Sequence, residues 1–339
     1  MPIRQGKNTI ILPTRPAITG NAAVVGKKEG EGPLKDEFDK IFEDEFAGCE
    51  TFEKAETELQ KTAVLKALEK ANESPENVNL AFAGDLLNQC IGSSFGLRDL
   101  GIPFSGLYGA CSTMALSLGL ASVLVDSGAL GLAVAVTSSH FCSAERQYRY
   151  PLEYGGQRTP AAQWTVTGSG AAVIKGNVTG APRVDGVIFG KVTDYGVTDQ
   201  NNMGAAMAPA AAKTISEFLT DTGSAPGDYD IILTGDLGKT GSKLLLELMQ
   251  KLYNTDISNV HKDCGLMIFD TKKQDVHCGG SGCGCSATVL CSYIINRLKA
   301  KELNRVLFVA TGALLSPTSM LQGESIPGIA HGVLLTSEY

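Results

Sequence analysis

The sequence is poor in histidine and aromatic residues, it has no long apolar run, and its acidic residues outnumber its basic ones. A formal net charge of −7 argues against binding to a nucleic-acid backbone, which requires clustered positive charge. No stretch reaches the roughly 18 apolar residues of a membrane span, and Met1 to Lys7 lack the apolar segment of a signal peptide. We therefore expect a soluble chain of the cytoplasmic type that does not bind nucleic acid.

The nine cysteines fall mostly inside apolar or glycine-rich runs, which is typical of reduced thiols and not of a disulfide framework. Four residues close in sequence suggest a metal site, namely His277, Cys278, Cys283 and Cys285. Their spacing matches no common zinc or iron–sulfur pattern, and they lie in a glycine-rich loop that leads into a helix. Neither a Walker A lysine motif nor a strand-linked Gly-x-Gly-x-x-Gly motif is present. The sequence thus predicts no metal and no cofactor.

Apolar strands alternate with helices along the whole chain, and apolar residues make up 43% of its 339 residues. This alternation predicts an α/β fold with mostly parallel sheets that are covered by helices on both faces. The run from Ser112 to Val125 is apolar on nearly all sides, so we expect it to form a central, buried helix. The acidic run from Lys35 to Glu58 is expected to form one or two amphipathic surface helices.

The chain contains an internal duplication. A cysteine-bearing turn, an apolar helix and an apolar strand that ends in threonine occur twice at equal spacing, around Cys111 and around Cys285. Upstream of each turn, a proline precedes a Gly-Asp-Leu motif by the same interval in both copies. We predict two duplicated halves, 1–178 and 182–339, of which the first carries Cys111.

Cys111 is the leading candidate for chemistry because it opens the apolar helix of the first half. A thiol at a helix N-terminus faces unpaired N–H groups and the positive end of the helix dipole, so its pKa is expected to be lowered. The same N–H groups suit a carboxylate or an oxyanion. The alternative is a small buried residue that only packs beneath the helix.

Two histidines are candidate partners of this thiol. His140 follows a strand end, from which its side chain is expected to point toward the helix bearing Cys111, and His331 lies in the last strand of the second half. A Cys–His pair with either residue would suit acyl transfer. The nearby loop 144–158 combines three tyrosines, which offer stacking faces, with three arginines, which suit carboxylates; a salt-bridged loop or a subunit interface is equally compatible. Its arginines are Arg146, Arg149 and Arg158.

These motifs resemble the thiolase superfamily, whose members fuse two such halves into a five-layer α-β-α-β-α sandwich. In that superfamily the cysteine matching Cys111 is the acylated nucleophile, and the second half supplies histidine, asparagine or a second cysteine. Here the segments 234–238 and 282–285 stand at the two places where those partners are expected, and they hold Asp236 and two cysteines. The resemblance therefore implies this fold with its acid–base partners missing.

Several longer blocks resemble the stage V sporulation protein AD family of spore-forming bacteria. The blocks are 108–113, 144–151, 153–155, 166–171 and 326–331. The resemblance implies a protein that binds dipicolinic acid (pyridine-2,6-dicarboxylate) during its uptake into the developing spore. It also implies that the protein works with membrane proteins of the stage V sporulation A operon and associates peripherally with the spore inner membrane.

We expect dipicolinate to bind at the helix start, because N–H groups, hydroxyls and imidazoles suit a flat dianion. The expected ligand-binding residues are Cys111, Ser112, Ser138, Ser139, His140 and His331. Two alternatives remain open: an active acyltransferase of the thiolase or ketoacyl-synthase type with Cys111 as nucleophile, and a scaffold for a membrane complex. Whether calcium accompanies the ligand is left open. A homodimer is expected through the edge segment from Ile102 to Tyr108.

Overall fold

The computed structural model describes residues 1–149 and 158–338. The strands are β1 (Ile3–Gln5), β2 (Thr9–Ile11), β3 (Ala17–Val25), β4 (Lys40–Ile41), β5 (Leu80–Gly84), β6 (Phe104–Gly106), β7 (Leu132–Ser139), β8 (Trp164–Thr165), β9 (Gly168–Lys175), β10 (Arg183–Ile188), β11 (Ile231–Thr234), β12 (His261–Asp263), β13 (Gly280–Ser281), β14 (Arg305–Ala313) and β15 (Gly328–Thr336). The helices are α1 (Lys27–Gly30), α2 (Phe52–Lys70), α3 (Ile91–Leu100), α4 (Thr113–Asp126), α5 (Phe141–Arg149), α6 (Met203–Thr222), α7 (Gly238–Tyr253), α8 (Cys264–Met267), α9 (Cys283–Val289), α10 (Ile295–Lys299) and α11 (Pro317–Leu321). A π-helical turn, Leu290–Ile294, joins α9 to α10.

Two five-stranded arrays repeat the same topology. The first has the order β6-β5-β7-β9-β3 and the second the order β12-β11-β14-β15-β10. In each array the first three strands are parallel and the last two pair antiparallel to their neighbours. One residue pair, Arg183 with Ala17, links the arrays. The matching order and directions confirm the duplication, while the domain boundaries 1–178 and 182–339 stay a prediction.

Five layers follow from where the apolar residues are buried. One apolar cluster lies between the first array and α2, and another lies between the second array and α6 with α7. The third cluster lies between the two arrays and contains residues of α4, α9, the π-helical turn and α10. The layers are therefore helices, sheet, helices, sheet, helices, as the sandwich requires.

Helix α4 lies in the central layer, as its all-round apolar sequence predicts. Met114, Ala115 and Leu118 are fully buried, and the helix contacts strands of both arrays. Leu116, Leu120, Val123 and Leu124 form one partly exposed stripe, and the other positions of the helix are buried, so little polar surface is needed along its length. Its central position places the turn before it, with Cys111, between the two halves.

Two sequence-based expectations differ from the structure. The acidic run from Lys35 to Glu58 forms mostly irregular chain with the short strand β4, and a long helix, α2, begins only at Phe52. The run is a loop because its buried Phe42 anchors it to the apolar cluster beneath α2. Strand β3 was not expected; it is nearly all buried yet contains Asn21, whose amide donates to the Cys291 carbonyl at 2.7 Å.

Two further features concern the cysteines and the lengths of the helices. All nine cysteines are free thiols, and seven of them are buried. Within residues 1–149 and 158–338, no helix has both the length and the apolar character that crossing a membrane requires.

Candidate functional site

Cys111 lies in a tight turn between β6 and α4. The preceding residue, Ala110, adopts a left-handed backbone conformation with φ of 48°, which is uncommon for a residue with a side chain. Side-chain hydrogen bonds hold the turn: Thr113 Oγ1 donates to the Ala110 carbonyl at 2.6 Å and Ser112 Oγ to the Gly109 carbonyl at 2.6 Å. The turn therefore points the Cys111 thiol toward the second half of the chain.

The second half supplies a buried carboxylate behind this thiol. Cys111 Sγ lies 4.0 Å from Ser281 Oγ, which donates to Asp236 Oδ2 at 3.0 Å. The Gly282 N–H donates to the same oxygen at 3.0 Å, and Thr311 Oγ1 donates to Asp236 Oδ1 at 2.8 Å. Thiol, hydroxyl and carboxyl groups from both halves thus form one continuous network.

The expected lowering of the Cys111 pKa is wrong. Burial first, and then the nearby Asp236 carboxylate and Cys283, raise the pKa of Cys111 well above its ordinary value. Burial likewise raises the pKa of Asp236, although its hydrogen bonds oppose the shift. The reason is that the thiol is 5% exposed, so desolvation of a thiolate costs more than the helix start recovers. At neutral pH Cys111 is a neutral thiol.

A pocket opens above Cys111 with about 430 Å³ of empty space, including its mouth. Tyr108, which is 47% exposed, stands at the mouth, and its hydroxyl lies 2.9 Å from the Tyr148 hydroxyl. Tyr148 in turn donates to the Leu86 carbonyl at 2.5 Å. Among the described residues that line the pocket, none is Lys, Arg or His; they are Leu86, Tyr108, Ala110, Cys111, Ala144, Tyr148, Thr165, Met203, Ser281, Ala313 and Leu315. The walls are therefore apolar and aromatic with a few neutral hydroxyls.

The three serines that were predicted to bind the ligand form hydrogen bonds within the protein. Ser112 holds the turn as described, and Ser138 Oγ donates to Glu56 Oε1 at 3.2 Å. Ser139 Oγ donates to the Val166 carbonyl at 2.6 Å and accepts from the Gly284 N–H at 3.0 Å. None of these serines is among the described residues that line the Cys111 pocket.

The two candidate histidines lie apart from the pocket. His140 Nε2 lies 2.7 Å from the Glu45 carbonyl, and its ring packs against Phe52, so the expectation that it points toward the Cys111 helix is wrong. His331 Nδ1 accepts from the Gly190 N–H at 3.2 Å on the final strand. Burial lowers the pKa of both rings, that of His331 to about 4. Both are neutral at pH 7, and among the described contacts neither ring reaches the Cys111 thiol.

The arginine-rich loop is described only in part. Arg146 forms an ion pair with Glu53, and Arg158 donates to the Gln163 carbonyl and lies over the Trp164 ring. The Arg149 side chain and residues 150–157 lie outside the described residues.

The four residues of the suggested metal site have separate partners. His277 contacts Asp275 at 3.1 Å, and Cys278 Sγ accepts from the Thr240 N–H at 3.2 Å. Cys283 and Cys285 donate to backbone carbonyls. Within the described chain no group of three or more His, Cys, Asp or Glu side chains is placed to hold a metal ion.

The sequence reasoning missed Asp236 as a site residue, although it noted the motif. Gly-Asp-Leu occurs in both halves, and both aspartates are buried where the strand ends. In the first half Asp85 accepts hydrogen bonds from Ser93 and the Leu87 N–H. The repeat was therefore a signal for a buried carboxylate, but only the fold shows that the second copy contacts the Cys111 network.

Comparison with protein families and curated relatives gives consistent results. The model of the family described as stage V sporulation protein AD matches residues 6–336. The stage V sporulation protein AD of Bacillus subtilis (strain 168) is 45% identical over 329 residues, which cover 97% of this chain and 96% of that protein. This identity and coverage show that the chain belongs to the same family as the Bacillus subtilis protein.

Two solved structures have a similar fold. The 3-oxoacyl-[acyl-carrier-protein] synthase III of Aquifex aeolicus VF5 matches with a TM-score of 0.57 and 13% identity, covering 95% of this chain and 99% of that one. The cerulenin-bound OleA structure from Xanthomonas campestris has a TM-score of 0.59 and 15% identity, covering 98% of this chain and 97% of that one. At these identities the likeness concerns the fold alone. The chain therefore has a thiolase-like fold and belongs to the stage V sporulation protein AD family.

Proposed function

We propose that this chain is a sporulation protein that binds dipicolinate in the Cys111 pocket during uptake of the compound into the developing spore. The observation that carries the proposal is the pocket itself, in which two tyrosines face a neutral thiol at the retained turn. Family membership supports a role in sporulation.

The pocket chemistry suits a flat ring with acceptor groups. Tyr108 and Tyr148 offer aromatic faces at the mouth, and the Tyr108 hydroxyl could donate to a carboxylate by giving up its hydrogen bond to Tyr148. Thr165 adds a hydroxyl on the inner wall, whereas the Ser281 hydroxyl already donates its proton to Asp236. We place the pyridine ring between these groups and the apolar wall of Leu86 and Ala144.

Charge balance favours the calcium chelate over the free dianion. The described lining residues include no cation, and the Asp236 carboxyl lies directly behind the thiol. Bringing two carboxylates into such a pocket without a counter-charge carries a large desolvation cost. Calcium bound to the carboxylates and ring nitrogen removes most of that charge, and the metal therefore arrives with the ligand.

Binding is proposed to be non-covalent, without catalysis. A neutral thiol is a poor nucleophile, and the histidines that would activate it have other partners. Asp236 occupies the place where a catalytic base is expected, and its carboxyl group already accepts three hydrogen bonds.

Titration calorimetry with dipicolinate, with and without calcium, tests the proposal. Cys111→Ala is expected to bind, whereas Cys111→Tyr fills the pocket and abolishes binding. Cys49→Tyr, at a partly exposed cysteine outside the pocket, is the matched control. Pyridine-2-carboxylate, with one carboxylate fewer, is expected to bind about 1.5–3 kcal/mol more weakly.

Cysteine alkylation provides a second, independent test of the same site. Bound dipicolinate is expected to protect Cys111 from iodoacetamide more strongly than it protects Cys90 or Cys291. Unchanged alkylation of Cys111, together with normal binding by Cys111→Tyr, would place the ligand elsewhere and refute this site.

A second candidate is acyl transfer, favoured by the network that joins Cys111 to Ser281 and Asp236. Here Cys111 sulfur would bond to the acyl carbon, the bond from that carbon to the carrier sulfur would break, and the proton of the Cys111 thiol would pass to the leaving carrier thiolate. Intact-mass spectrometry after incubation with acyl-CoA distinguishes the two: an acyl adduct that is absent from Cys111→Ala supports transfer over simple binding.

We propose further that the chain associates peripherally with the spore inner membrane through the membrane proteins of its operon. A net charge of −7 disfavours direct contact with anionic lipid, so protein partners are the expected anchor. The chain is also proposed to be a homodimer, because β6 is an edge strand flanked by the exposed apolar side chains of Ile91, Phe95, Phe104 and Tyr108.

A further inference from the structure

A second pocket lies on the other side of β8 from the Cys111 pocket. It has about 730 Å³ of empty space, including its mouth. Adjacent residues of β8 divide the two pockets, because Thr165 lines the first and Trp164 the second. The second pocket is lined by Gly26, Lys27, Lys28, Glu29, Glu45, Phe46, Phe52, Phe141, Cys142, Trp164 and Thr167. Among the residues that the structure describes, the two pockets share no lining residue, and the proposed function does not use the second.

Aromatic rings form two walls of this pocket. Phe46 and Phe52 stack with centroids 4.8 Å apart, and Phe141 stacks on Trp164 at 3.7 Å. Phe46 is 43% exposed although it stacks on Phe52. A ligand with an apolar body would cover it and gain contact with both walls.

Charged residues of both signs line this pocket. Glu29 is 1% exposed, and its Oε1 accepts from the Thr167 N–H at 3.0 Å. Burial raises the pKa of Glu29 to about 7, so a cationic partner would favour its ionised form. Glu45 adds a second carboxylate, and Lys27 a solvent-exposed ammonium.

One cation of this pocket is already engaged. Lys28 Nζ lies 3.4 Å from the centroid of the Trp164 ring and donates to the Asp275 carbonyl at 3.1 Å. Lys28 therefore covers the indole face that Phe141 leaves free. The groups left for a ligand are two carboxylates, the Lys27 ammonium and the rings of Phe46, Phe52 and Phe141.

We propose that this pocket binds an α-amino acid with an apolar side chain. The ligand ammonium lies toward Glu29 and Glu45, its carboxylate toward Lys27, and its side chain between the aromatic walls. A zwitterion satisfies both signs of charge at once, which neither a simple carboxylate nor a simple amine does. The ligand therefore has no net charge to be compensated.

The chain carries its own reporter for this site, because Trp164 is its only tryptophan. L-Phenylalanine is added to the full-length protein, and tryptophan emission is followed under selective excitation. Saturable binding is expected at one site. 3-Phenylpropionate lacks the ammonium and 2-phenylethylamine lacks the carboxylate, and each is expected to bind about tenfold or more weakly, since each loses a charge-assisted contact.

Two variants test the residues. Glu29→Gln keeps an acceptor for the Thr167 N–H but removes the charge, and it is expected to weaken L-phenylalanine binding about tenfold or more. Phe46→Ala changes an exposed side chain, so the protein still folds, and the same loss of affinity is expected. Cys111→Ala, in the other pocket, is the matched control and leaves the affinity unchanged.

The outcomes are distinct from those of the dipicolinate experiment. Absence of any saturable change with L-phenylalanine at millimolar concentration would overturn the proposal. Equal affinity for 3-phenylpropionate would also overturn it. The same holds if both Glu29→Gln and Phe46→Ala bind L-phenylalanine as tightly as the wild type, or if dipicolinate displaces L-phenylalanine. A failure of dipicolinate to bind at Cys111 leaves this test unaffected.

Discussion

Replacing Asp236 with asparagine tests whether this residue suppresses or promotes the Cys111 thiolate. In the structure the carboxyl group is buried, and the path from Cys111 Sγ through Ser281 Oγ has steps of 4.0 and 3.0 Å. A negative charge so close disfavours a second one. If Asp236 were instead a catalytic base, its removal would make the thiolate harder to form.

The expected change in the Cys111 pKa follows from the separation of the two groups. The two steps put Cys111 Sγ no more than about 7 Å from the Asp236 carboxylate. At that separation, two unit charges at an effective dielectric constant of about 20 repel by about 2 kcal/mol, and by more if they lie closer. This corresponds to about one and a half pKa units, so the Asp236→Asn variant is expected to have a lower Cys111 pKa. At a pH below that pKa the thiolate fraction rises, and the loss of intrinsic nucleophilicity offsets about half of the gain. We expect alkylation about five- to tenfold faster.

The assay measures iodoacetamide modification of Cys111 against pH by peptide mass spectrometry. Asparagine loses one acceptor for the Ser281 hydroxyl and Gly282 N–H, so thermal melting confirms that the variant is folded. Slower alkylation of Cys111 in Asp236→Asn would refute the repulsion argument and favour a catalytic base.

The duplicated motif supplies the matched control. Asp85 is the equivalent residue of the first half, and after burial it is the largest cause that raises the pKa of Cys90. Asp85→Asn is therefore expected to speed alkylation of Cys90 and to leave Cys111 unchanged. Faster alkylation of both cysteines in both variants would indicate a general loss of packing and not a local charge effect.

Three further predictions concern assembly, pH and packing. Phe104→Glu on edge strand β6 is expected to convert the dimer to a monomer; light scattering that shows a wild-type monomer across the micromolar range would contradict this. Burial raises the pKa of Glu29 to about 7 and of Glu56 to about 8 from 4.5, so the stability that depends on their protonated forms is present below about pH 4.5 and is lost as the pH rises through 7 to 8. The Tm is expected to fall over that range, and a Tm that rises from pH 5 to pH 8 would contradict it. Gly312→Ala places a methyl group 2.3 Å from the carbonyl oxygen before the Ala110–Cys111 turn, so lower stability and weaker dipicolinate binding are expected, whereas Gly227→Ala has open space and serves as the control.

Much of the fold was predictable because it depends on local patterns. The all-round apolar run of α4 predicts a buried central helix, and the structure confirms it. The equal spacing of the two cysteine turns predicts the duplication, which the two strand arrays confirm. Strand β3 was missed because its Gly20 and Asn21 interrupt an apolar pattern, and only long-range contacts such as that from Asn21 to Cys291 satisfy them.

The candidate site was predictable only in its first residue. Cys111 follows from its place before an apolar helix, but its partners lie far away in sequence. His140 was expected to face it from proximity to a strand end, yet the ring turns to Glu45 and Phe52. A strand end fixes where a side chain begins and not which of its neighbours accepts a hydrogen bond.

The sequence by itself determined that two related halves fold around a buried helix and that Cys111 begins that helix. Only the tertiary structure decided the state of the thiol, because its pKa depends on burial and on Asp236, which comes from the other half. Desolvation and charge repulsion are properties of a packed interior. They arise when two distant segments exclude water together, and no local pattern of residues records them.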